Sequence, residues 1–508
     1  MIRDITWKTG QRFVAGFHGT SIPEDFKQLV RTCKVGNVIL FKRNVVDAQQ
    51  LKQLCDDLQA LILEETGLPA FITIDQEGGA VTRLPEDCAI VAGAMALAST
   101  GNVENAYQAG VITGQELNAV GVNFDLAPVM DTNSNPLNPV IGARSFGDQP
   151  ETVAAYGSAM IRGLQENVIS CAKHFPGHGD TAVDSHLGLP EVDKSLEELE
   201  KCELVPFQAA VEAGVEAIMT THIMFPQIEK GGVPATMSKT IVQGILREKL
   251  GFRGLIISDC MMMDAIAKFY GTVAGSLAAI NAGVDLICIC HDPELTGKAC
   301  EEAAAKADPA MMDECVERII AAKEAMLKRE RQPMSVIGTE ENKRIVREQR
   351  AASVCMVGAE EVPALGENPF FAGCYPFATS MAVDQLSEYV GFAEYMHKEL
   401  GGKCMATPVL PEEKDIAAAV EAAKDASSIV LCTYNAHIRR SQVALMKALG
   451  ALQKPMIVCA MSNPYDLVEL PEGACGLTAF EYNLSTLSVL RDVIGGRRRP
   501  EGTLSVKL

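Results

Sequence analysis

From the N-terminus to about residue 290, short apolar runs rich in β-branched residues alternate with longer stretches of helical periodicity. The apolar runs predict buried strands, and the stretches between them predict helices. The predicted strands are residues 13–17, 37–41, 70–75, 123–127, 168–174, 217–221, 255–259 and 285–290. The predicted helices include residues 46–64, 103–119, 151–166, 196–213 and 239–250.

Eight strands that are each followed by a helix are typical of a parallel (β/α)₈ barrel. A doubly wound open sheet would give the same alternation. The number of units favours the barrel, and so does the lack of a glycine-rich dinucleotide fingerprint after the first strand.

The pattern changes beyond the eighth strand. One long charged helix is predicted over residues 293–331, and residues 332–350 are typical of a linker running into another helix. Strands at 427–433 and 455–460 and helices at 415–426 and 441–452 follow. We therefore predict a barrel domain over 1–331, a linker over 332–350 and a smaller αβα sandwich domain over 351–508.

Net charge and cysteine content limit the possible partners and the expected cellular compartment of the protein. The net charge of −20 argues against nucleic acid or an anionic membrane as a partner, because both would repel the chain. No export signal or membrane span is evident, and the sixteen cysteines are scattered, many of them in strand-like runs. We expect reduced, buried thiols in a cytoplasmic protein.

Charged or imidazole side chains end six of the eight predicted strands or follow them closely. In a (β/α)₈ barrel these ends meet at one face, where active sites lie. Salt bridges around the rim are the structural alternative, but six converging ends favour an active site. The residues concerned are Asp75 and Arg83, Asp131 and Arg144, Lys173 and His174, His222, Asp259, and His291 with Asp292.

The segment from Lys173 to His186 is the densest in candidate chemistry, and two interpretations compete. A metal site could use His174, His178, Asp180 and His186 as ligands. Alternatively, a glycine-containing loop carries an Asp184–His186 dyad, in which the carboxylate orients the imidazole for proton transfer. The glycines and the lack of helical ligand spacing favour the dyad. For His178, holding the loop is the favoured role.

Several motifs in this region occur together, in order, along the barrel sequence. They are residues 74–79 (IDQEGG), 141–147 (IGARSFG), 173–181 (KHFPGHGDT) with 184–186 (DSH), 234–238 (PATMS), and 251–254 (GFRG) leading into Ser258 and Asp259. In these motifs the chain resembles glycoside hydrolase family 3, and within it the bacterial β-N-acetylglucosaminidase (NagZ-type) branch. Residues 463–466 (NPYD) and 500–504 (PEGTL) are similar to the family's second domain.

The resemblance implies a role for individual residues. Asp259 would be the nucleophile, His186 the general acid/base and Asp184 its orienting partner. Sugar hydroxyls would be bound by Asp75, Arg83, Arg144, Lys173 and His174, and His222 would line the pocket. No cofactor is implied. The expected ligand is a small carbohydrate: an N-acetylglucosaminide, a muropeptide in cell-wall recycling, or a chitooligosaccharide.

The implied reaction is retaining hydrolysis through a glycosyl-aspartate, with Lys173 and Arg144 favouring the ionised form of Asp259. A phosphorylase on the same scaffold, a β-glucosidase-like enzyme and a silent sugar-binding protein remain as alternatives. The presence of both Asp259 and His186 argues against the silent protein. One departure is Cys260, where the branch commonly has a second aspartate. Polar residues of the second domain, such as Asn435 and His437, are expected to act in packing or substrate access.

Overall fold

The computed structural model describes residues 4–181, 189–376 and 390–508. Eight parallel strands close into a barrel in sequence order, with the first strand paired to the eighth. The prediction of a (β/α)₈ barrel is confirmed. The strands are β1 (Phe13–Ala15), β2 (Asn37–Leu40), β3 (Phe71–Ile74), β4 (Phe124–Asp125), β5 (Ile169–Phe175), β6 (Ala217–Thr220), β7 (Leu255–Cys260) and β8 (Leu286–Ile289).

Helices surround the barrel. They are α1 (Ile5–Gln11), α2 (Glu24–Cys33), α3 (Ala48–Thr66), α4 (Ala94–Ser99), α5 (Glu104–Val120), α6 (Pro150–Gln165), α7 (Leu196–Lys201), α8 (Leu204–Glu212), the helical segment Thr240–Lys249, α9 (Asp264–Ala267), α10 (Thr272–Ala282), α11 (Pro293–Lys306) and α12 (Pro309–Met326). In the described part of the chain, no helix has both the length and the apolar character needed to cross a bilayer.

Two predicted helices are each divided in the structure. The predicted helix at 196–213 breaks at Cys202, because Pro206 has no N–H to bond the carbonyl four residues earlier. The predicted helix at 293–331 is wrong as a single element. It ends at Lys306, and a new helix begins at Pro309, where the Asp308 side chain accepts from the Met311 amide as N-cap.

The amino-terminal end of the barrel is closed by α12. Ile319 and Met326 of this helix pack into the apolar barrel interior. Lys323 lies between them, fully buried, and its Nζ donates to Gln11 Oε1 and Gly36 O, each at 3.0 Å. The ammonium also lies 5.2 Å from the centre of the Phe71 ring. Burial lowers the pKa of Lys323 to about 7.

The second domain is a six-stranded sheet with the order β11-β10-β12-β13-β14-β9, in which β9 alone is antiparallel. Alternate residues of β12 face opposite sides: Val430 packs with α14 and α17, and Leu431 packs with α15 and α16. The predicted αβα sandwich is confirmed. Its elements are β9 (Met356–Val357), β10 (Pro369–Gly373), α14 (Phe392–Leu400), β11 (Lys403–Ala406), α15 (Glu413–Ala423), β12 (Ser428–Thr433), α16 (Arg440–Gly450), β13 (Met456–Ala460), β14 (Cys475–Thr478) and α17 (Leu484–Ile494).

Much of the segment predicted as a linker is ordered helix. Residues Glu340–Ser353 form α13, which packs against both α4 of the barrel and α17 of the second domain. Buried Arg350 of α13 donates through Nε to Glu481 Oε1 at 2.7 Å. This helix therefore joins the two domains by packing and by a buried ion pair.

The second domain also contacts the loops at the carboxyl end of the barrel. Asn133 donates to the Tyr465 hydroxyl at 2.9 Å, and the Lys507 amide donates to Asp148 at 2.8 Å. Gly142 has a positive φ of 46°, and a Cβ there would lie 2.5 Å from Asn463 Oδ1. The 141–147 motif of the barrel and the 463–466 motif of the second domain thus pack directly together.

The buried lysine below the barrel makes folding stability depend on pH. The pKa of Lys323 is about 7 in the folded state, whereas an unfolded lysine has a pKa of about 10.4. Above pH 10.4 the group is neutral in both states and imposes no penalty. As the pH falls towards 7, the unfolded state binds the proton first and the folded state loses stability.

We expect Lys323→Met to raise the free energy of unfolding at pH 7, by a few kcal/mol at most. The gain should shrink as the pH approaches 10, because the charge penalty of Lys323 then disappears. The variant still leaves Gln11 Oε1 and Gly36 O without the donor that Lys323 provides. Denaturant unfolding at pH 7 and pH 10 measures this, with exposed Lys328→Met as the control. A difference between wild type and Lys323→Met that does not change with pH would contradict the argument.

Candidate active site

Four charged side chains form one network at the carboxyl end of the barrel. The Lys173 ammonium at the end of β5 lies 2.8 Å from Asp75 Oδ1 and 2.6 Å from Glu77 Oε1, both just after β3. Arg144 donates to both oxygens of Glu77, at 2.7 and 2.8 Å. Lys173 and Glu77 are buried, whereas the Asp75 side chain is 19% exposed. Asp75 is therefore the carboxylate of the network that faces the barrel mouth most openly.

The network balances two cations against two carboxylates inside the protein. Burial would raise the pKa of Glu77, but Arg144 and Lys173 outweigh it and hold the pKa below its ordinary value. For Lys173, burial acts to lower the pKa and the charges of Asp75 and Glu77 raise it above the usual range. Glu77, Lys173 and Arg144 are therefore charged at neutral pH. Lys173 and Arg144 were expected to favour the ionised form of Asp259. In the structure, their charges are paired with those of Glu77 and Asp75.

Asp131 orients the histidine at the end of β5. This fully buried carboxylate accepts from His174 Nδ1 at 2.7 Å and from the backbone amides of His174 and His178. Because the carboxylate only accepts, Nδ1 of His174 carries the proton and Nε2 is the nitrogen left to the site. Burial raises the pKa of Asp131, but the neighbouring histidines bring it below its usual value.

Gln76 fixes the loop that carries Arg83. Its side-chain oxygen accepts from the backbone amides of Arg83 and Leu84, at 2.8 and 3.0 Å. The backbone amide of Gln76 donates to Asp125 Oδ1 on β4 at 2.9 Å. Burial raises the pKa of Asp125 well above its ordinary value. Arg83 is buried by this turn, on the same side of the barrel as the charged network.

Asp259 lies near the end of β7 and is partly exposed. Its Oδ1 accepts from the Cys260 amide at 2.7 Å, which orients the carboxylate. His222 is fully buried beside Cys260. Its Nε2 donates to the Cys260 carbonyl oxygen at 3.1 Å, and its Nδ1 contacts Thr236 Oγ1 at 3.0 Å. The Cys260 thiol points into the barrel interior, where the contact with Cys290 and burial raise its pKa.

The expected site residues meet at one barrel face as far as the structure describes them. Asp75, Arg144, Lys173 and His174 share one connected set of contacts, and Asp259 acts electrostatically on Cys171, as Asp75 and Lys173 do. Asp184 and His186 lie outside the described residues, so the proposed dyad stays a prediction.

The described residues of the alternative metal site have other contacts, whereas His186 lies outside the described residues. His178 Nδ1 lies 2.9 Å from Thr181 Oγ1, and Asp180 pairs with Lys194 at 2.9 Å. Burial, together with His174, lowers the pKa of His178 to about 4. Within ranges 4–181, 189–376 and 390–508, no three potential ligand side chains are grouped around one point. His178 holds its loop, as the sequence favoured.

Glu77 had no predicted role, and Asp131 was predicted only as one of the charged residues that follow a strand. Both are buried carboxylates that hold the cationic side chains or histidines of the site. Their positions in the sequence were the available signal. Glu77 lies two residues after the predicted strand at 70–75, and Asp131 follows the predicted strand at 123–127. Only their contacts distinguish them from rim carboxylates.

In the second domain, His437 is buried against Asp466. Its Nδ1 and its backbone amide contact Asp466 Oδ1 at 2.8 and 3.0 Å. Asn435 accepts from Asn463 at 2.7 Å, and both residues line a cavity of about 50 Å³ that reaches Glu77 and Arg144. These contacts support the prediction that the domain acts by packing.

We expect Glu77→Gln to lower the free energy of unfolding by about 3 kcal/mol, because it leaves two buried cations short of a counter-charge. The depressed pKa of Glu77 stabilises the fold above the unfolded value of about 4.3, and this is lost as the pH falls through the lower folded value. Denaturation at pH 7 and pH 3.5 tests both points, with exposed Glu86→Gln as the control. A loss of similar size at both pH values would contradict it.

We expect His437→Ala to lower stability by about 2 kcal/mol, because Asp466 is left as a buried, poorly paired carboxylate. The kcat of the expected glycoside cleavage should stay within about threefold of wild type, because the residues expected to be catalytic belong to the barrel. Thermal melts and steady-state kinetics measure the two effects, and exposed His397→Ala is the control. A large loss of kcat at unchanged stability would assign His437 to catalysis instead.

Known proteins are similar to this chain in sequence. The model for "Glycosyl hydrolase family 3 N terminal domain" matches residues 7–322. Beta-hexosaminidase A of Pseudoalteromonas piscicida is 38% identical over 53% of this chain and 48% of its own length. This chain thus spans about half of that relative. Beta-hexosaminidase of Thiobacillus denitrificans is 36% identical over 57% of this chain and 80% of its own length.

Solved structures extend the comparison to both domains. A glycoside hydrolase family 3 beta-N-acetylglucosaminidase from Paenibacillus sp. superposes with a TM-score of 0.91 at 34% identity, covering 99% of this chain and 98% of that chain. NagZ from Neisseria gonorrhoeae superposes with a TM-score of 0.57 at 29% identity, covering 67% and 97%. The resemblance found in the sequence is confirmed: this chain belongs to glycoside hydrolase family 3.

Proposed function

We propose that this protein is a retaining exo-β-N-acetylglucosaminidase, which removes terminal β-linked N-acetylglucosamine through a covalent intermediate on Asp259. The observation that carries the proposal is the position of Asp259 near the end of β7, at the same barrel face as the charged network of Asp75, Glu77, Arg144 and Lys173. The names of the similar beta-hexosaminidases and of the Paenibacillus enzyme support this substrate class.

Sugar hydroxyls are bound on the β3–β5 side of the mouth. Asp75 accepts hydrogen bonds, and Lys173 donates them, so the pair can bind two vicinal hydroxyls in opposite directions. His174, held by Asp131, offers a third polar contact through Nε2. Because these groups are already ion-paired and oriented, substrate binding need not reorganise them.

Asp259 attacks the anomeric carbon. Its Oδ1 accepts from the Cys260 amide, and this hydrogen bond orients the carboxylate that forms the bond to carbon. His222 fixes the Cys260 peptide from below through its carbonyl. His222 is thus proposed to position the nucleophile rather than to touch the sugar.

The leaving oxygen needs a proton, and His186 with Asp184 is proposed to supply it. An imidazole with an unperturbed pKa of about 6.5 exchanges protons readily near neutral pH, and an adjacent carboxylate favours its charged form. After the leaving group departs, the neutral imidazole takes a proton from water, and that water cleaves the glycosyl-aspartate ester. Each bond broken is matched by one bond formed, and the enzyme is restored.

We expect Asp259→Ala to abolish cleavage of an aryl β-N-acetylglucosaminide without loss of folding, and Asp264→Ala to serve as a nearby acidic control. Quenching the wild type during reaction with an activated 5-fluoro N-acetylglucosaminide should leave one 5-fluoro-N-acetylglucosaminyl group on the peptide that contains Asp259. Mass spectrometry of the digest measures this. A label on another carboxylate, or near-normal activity of Asp259→Ala, would overturn the assignment.

We expect His186→Ala to slow cleavage of unactivated sugar glycosides most, by about 10²–10⁴-fold, because general acid help matters most for poor leaving groups. Asp184→Asn should act in the same direction more weakly. Rates for activated aryl and natural disaccharide substrates, with and without chelator, measure the difference. Equal losses on both substrates together with chelator sensitivity would instead support the metal site.

The same kinetics identify the acceptor and the sugar. Free N-acetylglucosamine is the product expected in phosphate buffer, whereas N-acetylglucosamine 1-phosphate would make the enzyme a phosphorylase. Aryl β-glucoside and β-xyloside should be cleaved far more slowly than the N-acetylglucosaminide. Preference for the glucoside would contradict the proposed substrate class.

A further inference from the structure

A compact group of rings lies at the carboxyl ends of three strands that carry none of the residues assigned above to the charged network or to the nucleophile. His18 follows β1, Phe41 follows β2 and His291 follows β8. Both imidazoles are exposed and Phe41 is partly exposed. Arg43, just after Phe41, completes the group. Because β8, β1 and β2 are neighbours in the closed barrel, these residues occupy one continuous arc of the mouth.

The rings are held in a defined arrangement. Phe41 and His291 have ring centres 5.0 Å apart, and His18 and His291 have ring centres 6.5 Å apart. The Arg43 guanidinium lies 4.3 Å from the centre of the Phe41 ring and donates to His291 Nδ1 at 2.9 Å. It also donates to the carbonyl oxygens of Phe17 and Cys290.

The arginine also determines the state of His291. Because the guanidinium only donates, Nδ1 of His291 accepts and the ring's proton is on Nε2. Burial, with the charges of Arg43 and His18, lowers the pKa of His291 to about 4. The ring is therefore neutral at pH 7 and offers a face that can stack.

The group adjoins the proposed nucleophile. Phe41 and Cys260 pack against the same interior cluster of the barrel, and the Cys260 thiol contacts Cys290, the residue before His291. Asp259 is the neighbour of Cys260 on β7, next to β8 in the barrel. The ring group thus begins one strand away from Asp259.

The order of residues around the mouth gives a direction to the substrate. Polar groups suited to sugar hydroxyls follow β3, β4 and β5, and Asp259 lies at the end of β7. A sugar bound on the β3–β5 side therefore has its anomeric carbon towards β7. The leaving group then begins near β7, and the exposed rings after β8, β1 and β2 start at the next strand, within reach of a sugar that extends away from the β3–β5 side.

We propose that His18, Phe41 and His291 form a stacking platform for the leaving sugar, so that the substrate class is an N-acetylglucosaminyl disaccharide or longer oligosaccharide. This inference rests on the proposed function. A pyranose presents flat faces of C–H groups, which pack well on aromatic and neutral imidazole rings. Arg43 is a positioning residue, because it acts through the rings that it holds.

The test compares a substrate that has a leaving sugar with one that has none. The pair is N,N′-diacetylchitobiose and β-N-acetylglucosaminyl fluoride, whose leaving group is a single atom. We expect His291→Ala and Phe41→Ala each to reduce kcat/KM for the disaccharide about tenfold more than for the fluoride, the size of one ring contact. The exposed variant His18→Ala should change the same ratio in the same direction, and it disturbs packing least.

Arg43→Lys should lower the ratio of kcat/KM for the disaccharide to kcat/KM for the fluoride. A lysine has no planar donor group and cannot hold both Phe41 and His291 as Arg43 does. A merely structural loss would reduce the rates for both substrates together. Exposed His397→Ala, in the second domain, is the control for histidine removal.

Other outcomes overturn the inference. If the variants leave the ratio of the two rates at the wild-type value, the rings do not contact the leaving sugar. If the wild type cleaves the fluoride but not the disaccharide, the leaving group belongs to another chemical class. If the wild type cleaves neither the disaccharide nor the fluoride, the proposed function is wrong, and the stacking platform that rests on it is wrong as well.

Discussion

The buried ion pairs of Glu77 organise the active-site end of this protein. One carboxylate binds Arg144 through both of its oxygens and also contacts Lys173, so it joins the loops after β3 and β4 to the end of β5. Buried charges are costly unless they are closely paired. The same pairing that makes burial tolerable also presents Asp75 to the mouth in a defined geometry.

A second carboxylate, Asp131, performs a comparable task for the histidine at the end of β5. It binds His174 through the ring and the backbone and His178 through the backbone. Loops are the least constrained parts of a barrel, and these carboxylates replace missing secondary structure with charge-assisted hydrogen bonds. The second domain adds support from outside, where Asn463 packs against Gly142 and Tyr465 accepts from Asn133.

Two buried lysines of the barrel have different partners. At the carboxyl end, Lys173 meets the carboxylates of Asp75 and Glu77, and its pKa rises. At the amino end, Lys323 has only neutral oxygens and an aromatic face as partners, and its pKa falls to about 7. Proximity to a counter-charge, rather than burial alone, decides which buried lysine keeps its proton.

The sequence by itself determined the barrel, the sandwich and the family, because strand periodicity, helix spacing and local motifs are properties of short segments. It also placed Asp75, Lys173 and Asp259 at strand ends. It misjudged the helix at 293–331, where the Asp308–Pro309 cap competes with a continuous charged pattern, and it gave Glu77 no role. Only the tertiary structure decided that Glu77 pairs with Arg144 and Lys173, and that rings after β1, β2 and β8 meet. Such contacts join residues far apart in the chain, and local pattern carries no information about their distance.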